Sequence, residues 1–178
     1  MNMEAFILGC GGMQPLPYRH LTSVLLRRDG DLFLFDGGEG TQVSLKRLNL
    51  KWKKINAIFV SHTHADHVTG LPGIMMLSSQ VDRSEPLYIY GPPKIAEYIE
   101  TSRQVLDMYI NYPVIVKEIT EPGIVHEEND FVIRDMLKKS GKKVIVAVNK
   151  LDNNKRDNNI YNFYELGFGD VVGKATAI

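Results

Sequence analysis

A mixed α/β fold of layered helices and sheet is predicted for this chain, on three observations. Short apolar runs of strand length recur along it, at 3–8, 22–27, 31–35, 55–60, 87–90, 114–116 and 131–133. Between several of them lie segments whose apolar residues fall at helical spacing. Glycine and proline clusters separate the two kinds of segment, and strands alternating with helices are the pattern of packed sheets and helices.

Length and composition set the outer limits. A chain of 178 residues fits one domain, or one domain and a fragment. With 44% hydrophobic and 24% charged residues it has an ordinary globular composition and enough apolar mass for a real core, which excludes a wholly disordered chain. The formal net charge is zero, so no global attraction to nucleic acid is implied and any such contact must be local. Cys10 is the single cysteine. An internal disulfide is thereby excluded, and a reducing, cytoplasmic setting is expected. Met1 begins no charged-then-apolar leader, and no apolar run reaches membrane-spanning length, so no membrane partner is expected.

Taken in order, Met3 to Leu8 reads as a first strand, followed by the loop Gly9-Cys10-Gly11-Gly12 with Pro15 and Pro17 beyond it. That loop lacks the helix a dinucleotide fingerprint needs. Thr22–Arg27 and Asp31–Phe35 are two strands joined through Asp29-Gly30, a hairpin signal. Asp36 then ends a strand before Gly37-Gly38-Glu39-Gly40, where it is either a helix cap or a carboxylate beside a site. Residues 41–49 carry helical spacing through Val43, Leu45 and Leu48. Lys46, Arg47, Lys51, Lys53 and Lys54 surround Trp52, which reads as a solvated helix face with one anchoring aromatic. Gly70-Leu71-Pro72-Gly73 opens a helix through Ile74, Met75 and Leu77, with proline tolerated in the first turn and the methionines as core filler. Pro92-Pro93 starts another, with Ile95, Ile99 and Leu106 on one face.

The chemistry is concentrated in Ser61-His62-Thr63-His64-Ala65-Asp66-His67. Three histidines and a carboxylate follow directly on the apolar run 55–60, so a buried strand delivers nitrogen and oxygen donors to one place. Imidazole with carboxylate suits zinc or another borderline divalent metal. His62 and His64 are two apart and point the same way in an extended segment. Asp66 and His67 are adjacent and diverge. The spacing therefore reads as two ligand pairs for two ions, and a metal pair can activate water and clamp a phosphoryl or acyl oxygen.

Several separate motifs, in order, resemble the N-terminal half of bacterial ribonuclease Z, the tRNA 3′-processing endonuclease of the metallo-β-lactamase superfamily. They are the Gly9–Gly12 loop, Arg19–Val24, Phe35–Gln42, Ser61–His67 with Gly70–Gly73, Tyr90–Pro92 and Glu121–Val132. The resemblance covers residues 1 to about 134 and implies half of an αβ/βα sandwich. It implies two zinc ions, one on His62 and His64 and the other on Asp66 and His67, with Asp66 also a proton acceptor. It further implies precursor tRNA as substrate, cleaved after the discriminator base, and a homodimer as assembly. The family's later histidine has no counterpart in Arg134–Gly141, and no histidine follows His126. A bridging aspartate, a final histidine and a tRNA-clasping arm are missing too. Weak metal binding and little or no tRNA cleavage are therefore expected.

Residues from about 135 to 170 resemble instead the Der/EngA-type GTPases, which implies a short βα segment of P-loop GTPase type completing the fold as a second unit, 135–178. Lys142–Val148 is a strand-like run leading into Asn149-Lys150-Leu151-Asp152, the guanine-reading N-K-x-D pattern. The resemblance implies guanine contact by Asn149, Lys150 and Asp152. No phosphate loop accompanies them: before Gly173-Lys174 the first glycine is replaced by Phe168, and Ala175 stands where a hydroxyl is needed. GTP hydrolysis is thus excluded. The chain reads as a chimera of two fragments. Half a sandwich leaves an apolar sheet face to cover, and incomplete cover predicts dimerisation or aggregation.

Overall fold

The computed structural model describes residues 3–120, 124–128, 131–134 and 146–147. Its frame is a seven-stranded sheet in the order β6-β5-β4-β3-β2-β1-β9. The strands are β1 (Met3–Gly9), β2 (Ser23–Arg28), β3 (Asp31–Phe35), β4 (Ile55–Phe59), β5 (Leu87–Gly91), β6 (Val114–Glu118) and the short β9 (Val146–Ala147). β7 (Ile124–Glu128) and β8 (Phe131–Arg134) pair separately as an antiparallel ribbon. β1, β2 and β3 run antiparallel, while β3, β4, β5 and β6 run parallel. The predicted run 142–148 contributes β9, which pairs parallel with β1 through Ala5 and Phe6. Asn149, Lys150 and Asp152 lie outside the described residues, as does the rest of the GTPase-like stretch.

Alternation along β3 shows how the layers form. Leu32 and Leu34 point to one face, Phe33 and Phe35 to the other, as the two-residue period of a strand requires. The first face is covered by helices α1 (Thr41–Arg47), α3 (Leu71–Ser79) and α4 (Ile95–Val105). Leu25, Leu34, Ile58 and Ile89 of the strands meet Leu45, Leu71, Ile74, Met75, Ile95 and Ile99 of those helices in one cluster. Each such fully buried side chain is worth about 1.5–3 kcal/mol against exposure. The opposite face carries Ala5, Leu26, Phe33, Ala57, Phe59 and Tyr90. On it runs a column of rings: Phe35 to Phe59 at 5.2 Å, Phe59 to Tyr90 at 5.2 Å and Tyr90 to Tyr88 at 6.3 Å between centroids.

The β2–β3 hairpin forms at Asp29-Gly30, whose φ values of 48° and 124° are those a two-residue hairpin loop demands. Several helical expectations are corrected. Val43 is 45% exposed, because the buried stripe of α1 runs through Thr41, Ser44 and Leu45. Leu106 is 56% exposed, because α4 ends at Val105 and Leu106 is its C-cap. Trp52 sits not on a helix face but in a three-residue 3₁₀ turn, Trp52–Lys54, packed on the helix-side core with its lysine neighbours exposed. A one-turn helix, α2 (Ala65–Val68), was not expected; its four residues are too few for a periodic signal.

Candidate metal centre

The site stands at the C-terminal ends of the parallel strands β3 and β4, where open α/β sheets place their functional loops. β3 ends at Phe35 and leaves Asp36 as the next residue; β4 ends at Phe59 and leaves Val60 and Ser61 before the histidines. The two tips are tied together, since Asp36 N–H donates to the Phe59 carbonyl at 2.8 Å and Ser61 N–H donates to Asp36 Oδ1 at 2.7 Å. Gly38 lets the loops close: a Cβ there would lie 2.3 Å from the Asp66 carbonyl oxygen. Gly40, at φ 88°, starts α1 under the His20 ring, which a Cβ would meet at 2.4 Å. Asp-Gly-Gly-Glu-Gly is thus a backbone-to-backbone packing element beneath the site.

The sequence placed four donor side chains here, and the structure brings them together. The ring centroids of His62 and His64 are 4.6 Å apart and those of His62 and His67 are 3.9 Å apart. Asp66 Oδ2 lies 3.7 Å from His67 Nε2. His64 is extended, at the N-cap of α2, and Asp66 and His67 lie on that helix. The His62 ring is therefore in contact with both the His64 and the His67 ring. On the other side, Asp66 faces the Gly9–Gly12 loop, with Oδ2 3.9 Å from where a Gly12 Cβ would be.

Of the two readings of Asp36, the structure gives the carboxylate beside the cluster, bonded to His67, and not the helix cap. The N-cap of α1 is Gly40, with no side-chain bond. Asp36 is buried, has φ 56°, and accepts from Ser61 N–H, from Ser61 Oγ at 2.8 and 3.0 Å, and from His67 Nδ1 at 2.8 Å. A non-glycine residue held in the left-handed region is an uncommon backbone state that its surroundings must over-determine. Its hydrogen bond, aided by the carboxylate charges of Asp36 and Asp66, raises the His67 pKa above the ordinary imidazole value against the opposing effect of burial. His62 is shifted the other way, first by burial and then by the charges of His67 and His64. Ser61, which the sequence reading passed over, joins the two: its Oγ is 3.0 Å from His62 Nδ1. The available signal was position, a hydroxyl between the strand end and the first histidine.

The donor chemistry fits a divalent metal. Three imidazoles and a carboxylate lie together, and His67 has its Nδ1 on a carboxylate, the outer support that metal-binding histidines ordinarily have. Convergence is incomplete: among the described residues no three His, Cys, Asp or Glu side chains are gathered as a group that could hold an ion. The rings pack on one another, and Ser61 occupies one nitrogen of His62.

A sheet with helices on one face, and a histidine-rich tip following its fourth strand, define a protein of the metallo-β-lactamase fold. The solved structures agree. The short form of human tRNase Z is 30% identical with a TM-score of 0.67, over 73% of this chain and 57% of that one. YhfI from Bacillus subtilis, a metallo-β-lactamase fold protein, aligns at 22% identity with a TM-score of 0.54, over 70% of this chain and 49% of that one. The chain belongs to the family described as Anti-Pycsar protein Apyc1, which matches residues 3–140. Among individual proteins it is homologous to ribonuclease Z over the N-terminal stretch the sequence pointed to. The enzyme of Treponema denticola is 79% identical over 134 residues, which are 75% of this chain and 44% of that protein. That of Borrelia garinii is 46% identical over 141 residues, 78% of this chain and 43% of that one. The chain thus spans less than half the length of the curated relatives it matches.

Proposed function

We propose that this chain carries the metal-binding portion of a zinc-dependent endoribonuclease acting on tRNA 3′ ends. The observation that supports this reading most is the His62, His64, Asp66 and His67 cluster, with His67 held by Asp36, inside a stretch 79% identical to a ribonuclease Z. His62 and His64 would hold one ion, and Asp66 and His67 the other. Zinc, when bound, supplies Lewis-acid polarisation of a phosphoryl oxygen and lowers the pKa of water. The chain's own residues position the donors, and Asp66 is the group placed to accept a proton. His64 is exposed and Asp66 only partly buried, so the cluster is open enough for a macromolecular phosphodiester.

Two donors per ion are fewer than the three protein ligands usual at catalytic zinc. We therefore expect weak zinc binding and slow cleavage. The test is trailer release from a precursor tRNA by this chain and by a full-length ribonuclease Z, each with added zinc and after chelation. Slow, zinc-dependent release at the 3′ boundary is the expected result. Absence of both zinc uptake and cleavage would replace this reading with a non-enzymatic scaffold. The family description, Anti-Pycsar protein, supports a second reading outside tRNA maturation. The tRNA reading is preferred because it rests on far higher identity to individual proteins.

A further inference from the structure

We propose that Ser61 is a positioning residue that sets the tautomer of His62, so that one buried carboxylate orients two imidazoles, His67 directly and His62 through a hydroxyl relay. This rests on the metal-centre reading above for its purpose, though not for its geometry. Ser61 Oγ lies 3.0 Å from Asp36 Oδ1, 2.8 Å from Asp36 Oδ2, 3.0 Å from His62 Nδ1 and 3.4 Å from His67 Nδ1. A serine hydroxyl has one proton to give and lone pairs to receive with, whereas a carboxylate only accepts. The proton must therefore go to Asp36, since otherwise oxygen lone pairs would face each other at 2.8 Å. Toward His62 the hydroxyl can then only accept. The hydrogen of neutral His62 is placed on Nδ1, and the lone pair is left on Nε2.

His67 reaches the same state without a relay, because its Nδ1 donates to Asp36 Oδ2 at 2.8 Å. Both rings then present Nε2 as the free donor, the atom a metal would use. The relay is rigid at each end. Asp36 is buried and also holds the Ser61 backbone N–H, so the hydroxyl is anchored by its own main chain. Three protons converge on Asp36, from the Ser61 N–H, the Ser61 hydroxyl and His67 Nδ1, while His62 Nδ1 has its contact with the Ser61 hydroxyl. Without the hydroxyl, His62 Nδ1 loses its fixed acceptor and the ring is free to move its hydrogen to Nε2, where it would block a metal.

The experiment uses the full chain, metal-free, with ¹⁵N-labelled histidine, above the pH at which imidazoles titrate. Long-range proton–nitrogen correlation should show His62 and His67 both with the hydrogen on Nδ1. Ser61→Ala should shift His62 toward the Nε2–H form and leave His67 unchanged, while Ser61→Thr, which keeps the hydroxyl, should restore the wild-type pattern. In zinc titrations Ser61→Ala should weaken binding about tenfold or more, the size of effect seen when an outer partner of a ligand is lost. His62 with its hydrogen on Nε2 in the wild type overturns the proposal, and so does a tautomer indifferent to Ser61→Ala. The wild-type spectrum decides even if the alanine variant does not fold. If the tautomers are as stated and no zinc binds, the relay stands and the metal reading fails.

Discussion

β3 has an aspartate just beyond each end, and the two have different work. Asp29 precedes the strand and Asp36 follows it; each is followed by glycine, and each has a positive φ, 48° and 56°. Asp29 is exposed and forms the hairpin turn with Gly30. Asp36 is buried and collects donors from Ser61 and His67. The two aspartates thus share a positive φ but differ in burial and in what the fold brings to the side chain. The backbone state is a local property that aspartate tolerates, and the function is a tertiary one.

The largest expected effect comes from breaking the buried member. Asp36→Ala leaves Ser61 and His67 donors without their acceptor, each costing about 1–3 kcal/mol when buried, and places alanine at positive φ. Unfolding in denaturant should show a loss of about 3 kcal/mol. The same change at Asp29 should stay within about 1 kcal/mol, since Asp29 is exposed and surface substitutions cost little. Equal losses at the two positions would erase the contrast drawn above.

Metal binding sharpens it next. Zinc at a hundredfold excess over its dissociation constant should stabilise the folded chain by about 2.7 kcal/mol, read as a rise in thermal midpoint that a chelator reverses. Asp29→Ala should keep the rise. His62→Ala with His67→Ala should abolish it, and Asp36→Asn should reduce it, because the amide cannot hold His67 Nδ1–H and the Ser61 hydroxyl as a carboxylate does.

A smaller effect belongs to pH. His20, lying on Gly40 with Nδ1 at 2.8 Å from Ser44 Oγ, has its pKa lowered by burial first and by the Arg47 charge next, against Glu39. Below the ordinary value the unfolded chain takes up a proton that the folded one refuses. This contribution to stability is present above about pH 6.5 and falls as pH drops through that value toward the lowered folded pKa. Denaturant midpoints over that range should fall less in His20→Gln than in the wild type, and an unchanged slope would remove His20 as the cause.

Much of this architecture was legible beforehand. The strands announced themselves because β-runs with turn residues on both sides are local signals, as at Asp29-Gly30. The donor cluster was legible because four metal-type side chains within six residues need no tertiary information. What stayed hidden was set by contacts across the chain. The side-chain role of Asp36 depends on Ser61, which reaches it only once β3 and β4 lie side by side. The exposure of Val43 and Leu106 depends on where α1 and α4 stop and on which flank meets the sheet. The contact of the His62 and His67 rings depends on α2 folding the chain back by one turn.

The ring column on the face of the sheet opposite the helices bears on all of this from below. Phe35 is the residue before Asp36, and Phe59 is two before Ser61; their rings stack at 5.2 Å, and Tyr90 extends the stack to the next strand. Aromatic faces in register resist sliding of one strand past its neighbour. The hydrogen bonds that tie carboxylate to hydroxyl thus have hydrocarbon contacts beneath them on the reverse of the sheet, and a leucine at Phe59 is expected to loosen donor geometry without changing a polar side chain.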